Sequence, residues 1–332
     1  MTNRERFQAV LNFQRPDDRL PAVEWAPWWD QTIRNWWEQG LPRDLSWRQI
    51  NTYLGLDPLI QVAYPTATPE LPQPATFGGS IMEDEEDYEA LKQYLYHDSL
   101  IDAQVAEMKQ LKEGHDRGEY PIWLTLSGGF WFPRDLFGIE NHLFSFFDYP
   151  ELYHRILEDL AEYQIRLLER VYEVLSPDYM TFAEDMSYNK GPMISEELFN
   201  TFLEPYYRKV IPVLHSHGTK VIMDSDGDIS RMIPWMQRVG IDGVLPLERQ
   251  AGVDVCALRE QYPDFLFIGA YDKMAMRRGT ADMRSEFERL LPAMRSGGFV
   301  PSCDHQTPPD VPLERYREYV AMLHDYARRA VK

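Results

Sequence analysis

Two pairs of potential ligands stand two residues apart: Asp224 with Asp226, and Cys303 with His305. At a strand end, residues i and i+2 project to the same side, so each pair can reach one ion. Two carboxylates, a thiol and an imidazole form a mixed donor set of the kind that holds zinc. A competing use exists for each member. Cys303 also suits a small buried apolar site, as does Cys256 on its helix. Asp, Gly and Ser after a strand also serve as loop residues and helix caps, and Asp228 reads as the N-cap of a helix starting at Ile229.

Polar groups follow nearly every apolar run. Glu24 closes the run at 19–25, and Ser127-Gly128-Gly129 closes that at 120–127. Glu184-Asp185, Asp224 with Asp226, Glu248, Tyr271-Asp272-Lys273 and Cys303-Asp304-His305 close those that follow. Glu184, Asp185, Asp224, Asp226, Glu248, Asp272 and Asp304 cannot all be close, ionised and unpaired, because like charges raise one another's pKa. A bound cation, a basic partner such as Lys273 or Arg249, or protonation resolves the conflict. Each remedy makes a chemically useful site.

The elements that would gather these groups follow from periodicity. Apolar strands are expected at 19–25, 120–127, 178–182, 220–223, 243–247, 265–270 and 298–302. Helices are expected at 2–13, 100–111, 150–175, 195–214 (interrupted near Pro205 and Pro212), 229–239, 254–262, 281–294 and 313–330. Strands alternating with amphipathic helices signal parallel βαβ units. Seven strands, with an eighth accommodated within 26–118, fit a (β/α)8 TIM barrel. The chain reads as one barrel domain, 1–332, whose 26–118 stretch is a partly helical insertion covering the pocket. The run Glu83–Asp87 reads as an acidic helix start. His215 and His217 read as helix-end residues, and His97, His115, His142, His154 and His324 as exposed helical ones. No GxGxxG follows a strand and no GxxxxGK[ST] occurs, which removes the dinucleotide and P-loop readings.

The 332 residues carry 34 Lys and Arg against 53 Asp and Glu, a formal net charge of −19. That argues against a nucleic-acid backbone or an anionic membrane as partner. Hydrophobic residues make up 44%, enough to fill a core. Two cysteines exclude a disulfide framework and point to a reducing cytoplasm. Met1–Arg6 is polar with no apolar stretch behind it, so neither a signal peptide nor a membrane span is expected.

Four stretches resemble the uroporphyrinogen decarboxylase superfamily, which also contains corrinoid and coenzyme M methyltransferases. They are ERFQAVLNFQRPDDRLP (5–21), DYMTFAEDMSYNKGPMISEELFNTFLEPYYRKV (178–210), HGTKVIMDSDGDISRMIPWMQRVGIDGVLPLE (217–248) and GGFVPSCDHQTPPDVPLERYREYV (297–320). The resemblance implies a (β/α)8 barrel with its active site at the C-terminal mouth. The tetrapyrrole branch carries an Arg-rich N-terminal segment; the corresponding AVEWAPWWDQTIRNWW (22–37) is aromatic and nearly free of base. The methyltransferase branch binds zinc through His-x-Cys after one strand and Cys after the last. The matching positions are Asp224, Asp226 and Cys303, a harder set that suits zinc or another divalent metal and an oxygen-bearing substrate.

The resemblance thus implies methyl transfer between a small methoxylated or methylated compound and a corrinoid supplied by a partner protein. Glu184, Asp185 or Asp272 would handle the proton, with Glu184 or His305 as further ligands. Trp25, Trp28, Trp29 and Tyr188 would wall an apolar substrate pocket, with Glu24, Glu248 and His305 as further contacts. The alternatives are a metal-independent decarboxylase of a small carboxylated substrate, and a non-catalytic ligand-binding barrel. A homodimer is compatible with the superfamily.

Overall fold

The computed structural model describes residues 1–332 except Pro27. Its centre is a curled sheet of seven parallel strands in chain order: β1 (Ile60–Tyr64), β2 (Ile122–Ser127), β3 (Tyr179–Ala183), β4 (Lys220–Asp224), β5 (Gly243–Leu245), β6 (Leu266–Tyr271) and β7 (Phe299–Cys303). Every residue of β6 and β7 is buried, as strands covered on both faces must be. Edge strand β1 alternates instead: Ile60, Val62 and Tyr64 are buried, while Gln61 and Ala63 are exposed.

Helices fill the crossovers. The first, Asn3–Leu11, begins with a reciprocal capping box between Thr2 and Glu5. The long helix Pro150–Tyr172 starts on its proline and buries Leu157, Leu160, Leu168 and Val171 against the sheet. Asp84 caps the helix Glu85–Leu91, accepting from the amides of Glu86 (3.0 Å) and Asp87 (3.1 Å), so the acidic run is a helix start. Among the described residues, no helix is long and apolar enough to cross a membrane.

Several expectations need correction. Segment 19–25 joins no strand ladder. Residues 20–26 are buried and lie between β7 and the approach to β1, but side chains take much of their bonding. The Trp25 amide donates to Ser302 Oγ (3.1 Å), the Ala22 carbonyl accepts from the Asp57 amide (2.8 Å), and Pro21 has no N–H to give. Among the described residues no eighth strand closes the sheet. Stretch 26–118 is more than an insertion, because it supplies β1.

The 195–214 stretch is interrupted near Pro205, where a π-helical segment, Phe199–Leu203, gives way to the α-helix Glu204–Ser216, but Pro212 does not interrupt that helix. Pro205 sits in the first turn of Glu204–Ser216, where a missing N–H costs nothing, and Pro212 lies inside it. The next helix begins at Ile233 with Pro234 in its first turn, so Asp228 caps a turn instead, accepting from the Ser230 amide at 3.0 Å. His115 and His142 are buried. His115 Nε2 lies 2.8 Å from Asp178 Oδ2, and His142 Nε2 lies 3.0 Å from the Tyr153 hydroxyl. Cys256 is only partly buried.

Candidate functional site

The sheet register sets what faces what. Ser127, Ala183 and Asp224 stand side by side at the ends of β2, β3 and β4. Leu245 extends that row on β5. Val244, Phe267, Phe299 and, farther along the last two strands, the pair Tyr271–Cys303 belong to the other face. Three non-glycine residues at these strand ends, Asp185, Leu247 and Ala270, hold positive φ (45°, 67° and 68°). Such backbone persists only where its surroundings impose it.

After β4 the chain threads a crowded corner. The Ser225 amide donates to Leu245 O (3.0 Å) while its hydroxyl accepts from the Met186 amide (3.0 Å). Gly227, at φ 80°, passes so close to the hairpin 187–192 that a Cβ would lie 2.6 Å from the Tyr188 carbonyl carbon. Its amide donates to Glu248 Oε2 (3.0 Å), and that of Asp226 to Asp185 Oδ1 (3.2 Å). These bonds bring Asp226, Glu248 and His305 together, with ligand atoms all within 4.8 Å. His305 Nε2 lies 3.5 Å from Asp226 Oδ2.

The electrostatics follow this crowding. Hydrogen bonding to Asp226 raises the His305 pKa. Burial, then the neighbouring carboxylate of Asp226, raises Asp185. Burial, then Asp185 and Asp226, holds Asp224 well above the carboxylate range. Of the seven acidic groups read from the strand ends, Asp185, Asp224, Asp226 and Glu248 are the ones gathered here, and the upward shifts of Asp185, Asp224 and His305 all relieve their repulsion. Asp304 shows the third remedy. It is fully buried and accepts from the amides of Arg249 (3.0 Å) and Lys273 (3.1 Å), with Lys273 Nζ at 3.4 Å.

The expected metal trio is not the one assembled. Asp226 stands in the group, joined by His305, which was expected as a further ligand as well as a substrate contact, and by Glu248, which was expected to contact substrate; Asp224 and Cys303 lie outside it. Cys303 is on the other face of β7, buried against Glu24 and Tyr319, and burial pushes its thiol up. Of the expected proton carriers, only Asp185 adjoins the trio. Asp272 is tied down, accepting from the Met274 amide and Gln250 Nε2 (2.9 Å each) and pairing with Arg278 (2.8 Å). Glu184 is buried and accepts from the amides of Gly129 (2.8 Å), Phe130 (2.7 Å) and Trp131 (3.2 Å) and from the Tyr207 hydroxyl. Despite these donors burial pushes its carboxyl up to about 7.

Beside the trio, Trp25 meets His305 edge-on at 6.2 Å and Trp123 at 6.5 Å, its indole N–H donating to Cys303 O (2.6 Å). On its far side is a cavity of about 130 Å³ lined by Glu24, Trp25, Trp28, Trp47, Arg48, Asn51, Gln61 and Trp123, among others. Glu24, Trp25 and Trp28 were expected there. Trp47, Arg48 and Trp123 were missed, although the density of tryptophan from 25 to 47 was a visible signal. Trp29 is half exposed over a separate shallow groove, and Tyr188 is half exposed on the hairpin.

Glu24 is buried in this wall, bonded to the Ser302 hydroxyl, the Cys303 amide (3.2 Å) and the Tyr316 hydroxyl (3.1 Å), and burial raises its pKa from 4.5 to about 7. The folded chain keeps a proton that the unfolded chain gives up at lower pH. This contribution is whole below pH 4.5 and is lost as pH rises through about 7. It is worth about 3 kcal/mol at one pKa unit per 1.4 kcal/mol. Thermal unfolding of Glu24→Gln against the native chain should show the native chain losing ground to the variant between those pH values. A difference that stays flat with pH would count against a protonated Glu24.

The family model for uroporphyrinogen decarboxylase (URO-D) matches residues 66–326. Among solved structures, a methyltransferase from Methanosarcina mazei superposes with a TM-score of 0.63 at 16% identity, covering 98% of each chain. A putative vitamin-B12 independent methionine synthase from Listeria monocytogenes gives 0.46 at 12%, covering 94% of this chain and 98% of that one. D-psicose 3-epimerase from Clostridium cellulolyticum H10 gives 0.47 at 12%, covering 87% and 95%. The likeness to the Methanosarcina methyltransferase, at 16% identity, is one of fold. No curated protein matches the chain.

Proposed function

Since the chain belongs to the uroporphyrinogen decarboxylase family, we propose that it is a methyltransferase acting between a small methoxylated or methylated aromatic compound and a corrinoid carried by a partner protein. The observation that carries this reading is the Asp226–Glu248–His305 group, joined through Trp25 to an indole-lined cavity. Two carboxylate oxygens and an imidazole nitrogen, with no thiolate, suit zinc or a harder divalent cation. Such an ion supplies Lewis acidity at the oxygen that bears the methyl group. The indoles of Trp25, Trp28 and Trp123 bind and orient a flat apolar substrate and exclude water from it. Once the methyl group leaves, the substrate oxygen needs a proton. Burial and the charge of Asp226 raise the pKa of both Asp185 and Asp224, which suits them to supply one beside the group. On the same reading, segment 20–26 takes the place of an eighth barrel strand, a role supported by its bonds to Ser302 and Asp57.

The second reading, decarboxylation of a small carboxylated substrate, is favoured by the same two raised carboxyls, which can protonate a carbanion without a metal. One assay separates them. Aryl methyl ethers and aryl carboxylates are offered with free reduced cobalamin as methyl acceptor, and methylcobalamin and carbon dioxide are both measured. Methylcobalamin formation supports the proposal; carbon dioxide release without it transfers the conclusion to the decarboxylase.

A further inference from the structure

We infer that the helix Ile139–Asp148 is a docking face for a second protein whose contact surface is apolar at its centre and basic at its rim. The helix buries His142, Ser145 and Phe146 inward. Outward it exposes Ile139, Leu143 and Phe147, spaced four residues apart, with Phe144 beside them; Phe144 is 64% and Phe147 70% exposed. Phe77, fully exposed, extends the face from the loop packed against Ile139, and Tyr149 extends it at the other end. Single exposed apolar residues need no explanation, but a contiguous stripe of this size marks an interaction site.

The collar around the stripe selects the occupant. Glu140 lies within it, and Asp148 and Glu151 border a surface hollow shared with Asp84, Glu85 and Glu86. Arg155 answers Glu85 and Glu89. Among the described residues, Glu86, Glu140, Asp148 and Glu151 have no ion-pair partner. An anionic lipid surface would meet repulsion here. A second copy joined by a two-fold axis would set this collar against its own image, between chains of charge −19 each. A basic rim meets the collar with opposite charge and gains steering from it. Nothing in this inference depends on the reaction proposed above.

The test uses the full chain and a synthetic helical peptide of leucine and lysine, roughly 18 residues long so that it can hold a helix. Binding is followed by fluorescence anisotropy, with a leucine–glutamate peptide as control. The lysine peptide should bind and the glutamate peptide should not. Phe144→Ser/Phe147→Ser should weaken binding about tenfold, or 1.4 kcal/mol. Raising salt from about 50 to about 500 mM should weaken it further, since screening shortens the reach of the collar. Both side chains are exposed, so the double variant should keep the native unfolding temperature. Equal affinity for the double variant would overturn the inference. So would sedimentation as a dimer that the double variant turns into a monomer, or vesicle binding that it abolishes.

Discussion

Glu184→Ala is expected to lower the stability of the chain by about 4–6 kcal/mol, enough to leave much of it unfolded, given typical domain stabilities of 5–15 kcal/mol. The carboxylate accepts three backbone amides and the Tyr207 hydroxyl. Removing it strands three buried donors and the part-buried Trp131 amide, at about 1–3 kcal/mol for each buried one before relaxation, and opens a cavity as well. Water admitted to that cavity recovers part of the loss, so the total falls below the sum. Gly128 offers an independent test of the same contact. A Cβ there would lie 2.0 Å from the Glu184 carboxyl carbon, so Gly128→Ala should be destabilising by a comparable amount. Urea unfolding followed by circular dichroism measures both. A loss under about 1 kcal/mol for either variant would mean that Glu184 does not anchor the loop after β2. Neither effect should change when a chelator is added, which separates this anchoring role from metal binding.

Asp226→Ala should have the largest effect on chemistry, because three features depend on one carboxylate. It supplies a ligand atom to the group with Glu248 and His305, its hydrogen bond raises the His305 pKa, and its charge raises Asp185 and Asp224. Losing a ligand should weaken zinc or manganese binding on the order of 100-fold or more, read by titration calorimetry. The pKa consequences have definite signs. His305 loses its counter-charge and should titrate lower, while Asp185 and Asp224 lose a like charge and should also titrate lower. Proton NMR of the His305 ring reads the first directly. Unchanged metal affinity together with an unmoved His305 titration would remove Asp226 from the site. A shifted titration with no metal binding in either protein would keep the electrostatic role and dismiss the metal.

How much of this was visible in the chain depends on the range over which each feature is determined. Periodicity is local, so β2–β7 and most helices could be read within a few residues of their ends. Capping is local too, and Thr2 and Asp84 behave as their types suggest. Strand β1 lies within 26–118, where a further strand was expected, but its position could not be read because the stretch is rich in Trp and Pro. Segment 19–25 misled because an apolar run shows burial, whereas a ladder requires main-chain partners that tertiary contacts supply or withhold.

The same division runs through the site. That acidic groups follow the strands is a property of the chain, and the match over residues 66–326 agrees with the family that its motifs resemble. Which of them meet is a property of the folded molecule. Side chains alternate along a strand, so register decides whether Cys303 faces the mouth or the outer helix, and it faces Tyr319. Glu184 and Asp185 are adjacent in the chain, yet one is consumed by the amides after Gly128 while the other stands beside Asp226. Glu248 and His305 reach Asp226 only because the loops after β4, β5 and β7 meet at one place. Trp47 and Arg48 come to the cavity from the helix Trp47–Tyr53, and the tryptophan density that hinted at a pocket could not say which of its residues would line it. Residue type set the available chemistry, and distances between groups far apart in the chain, fixed by packing, selected which of it could be assembled.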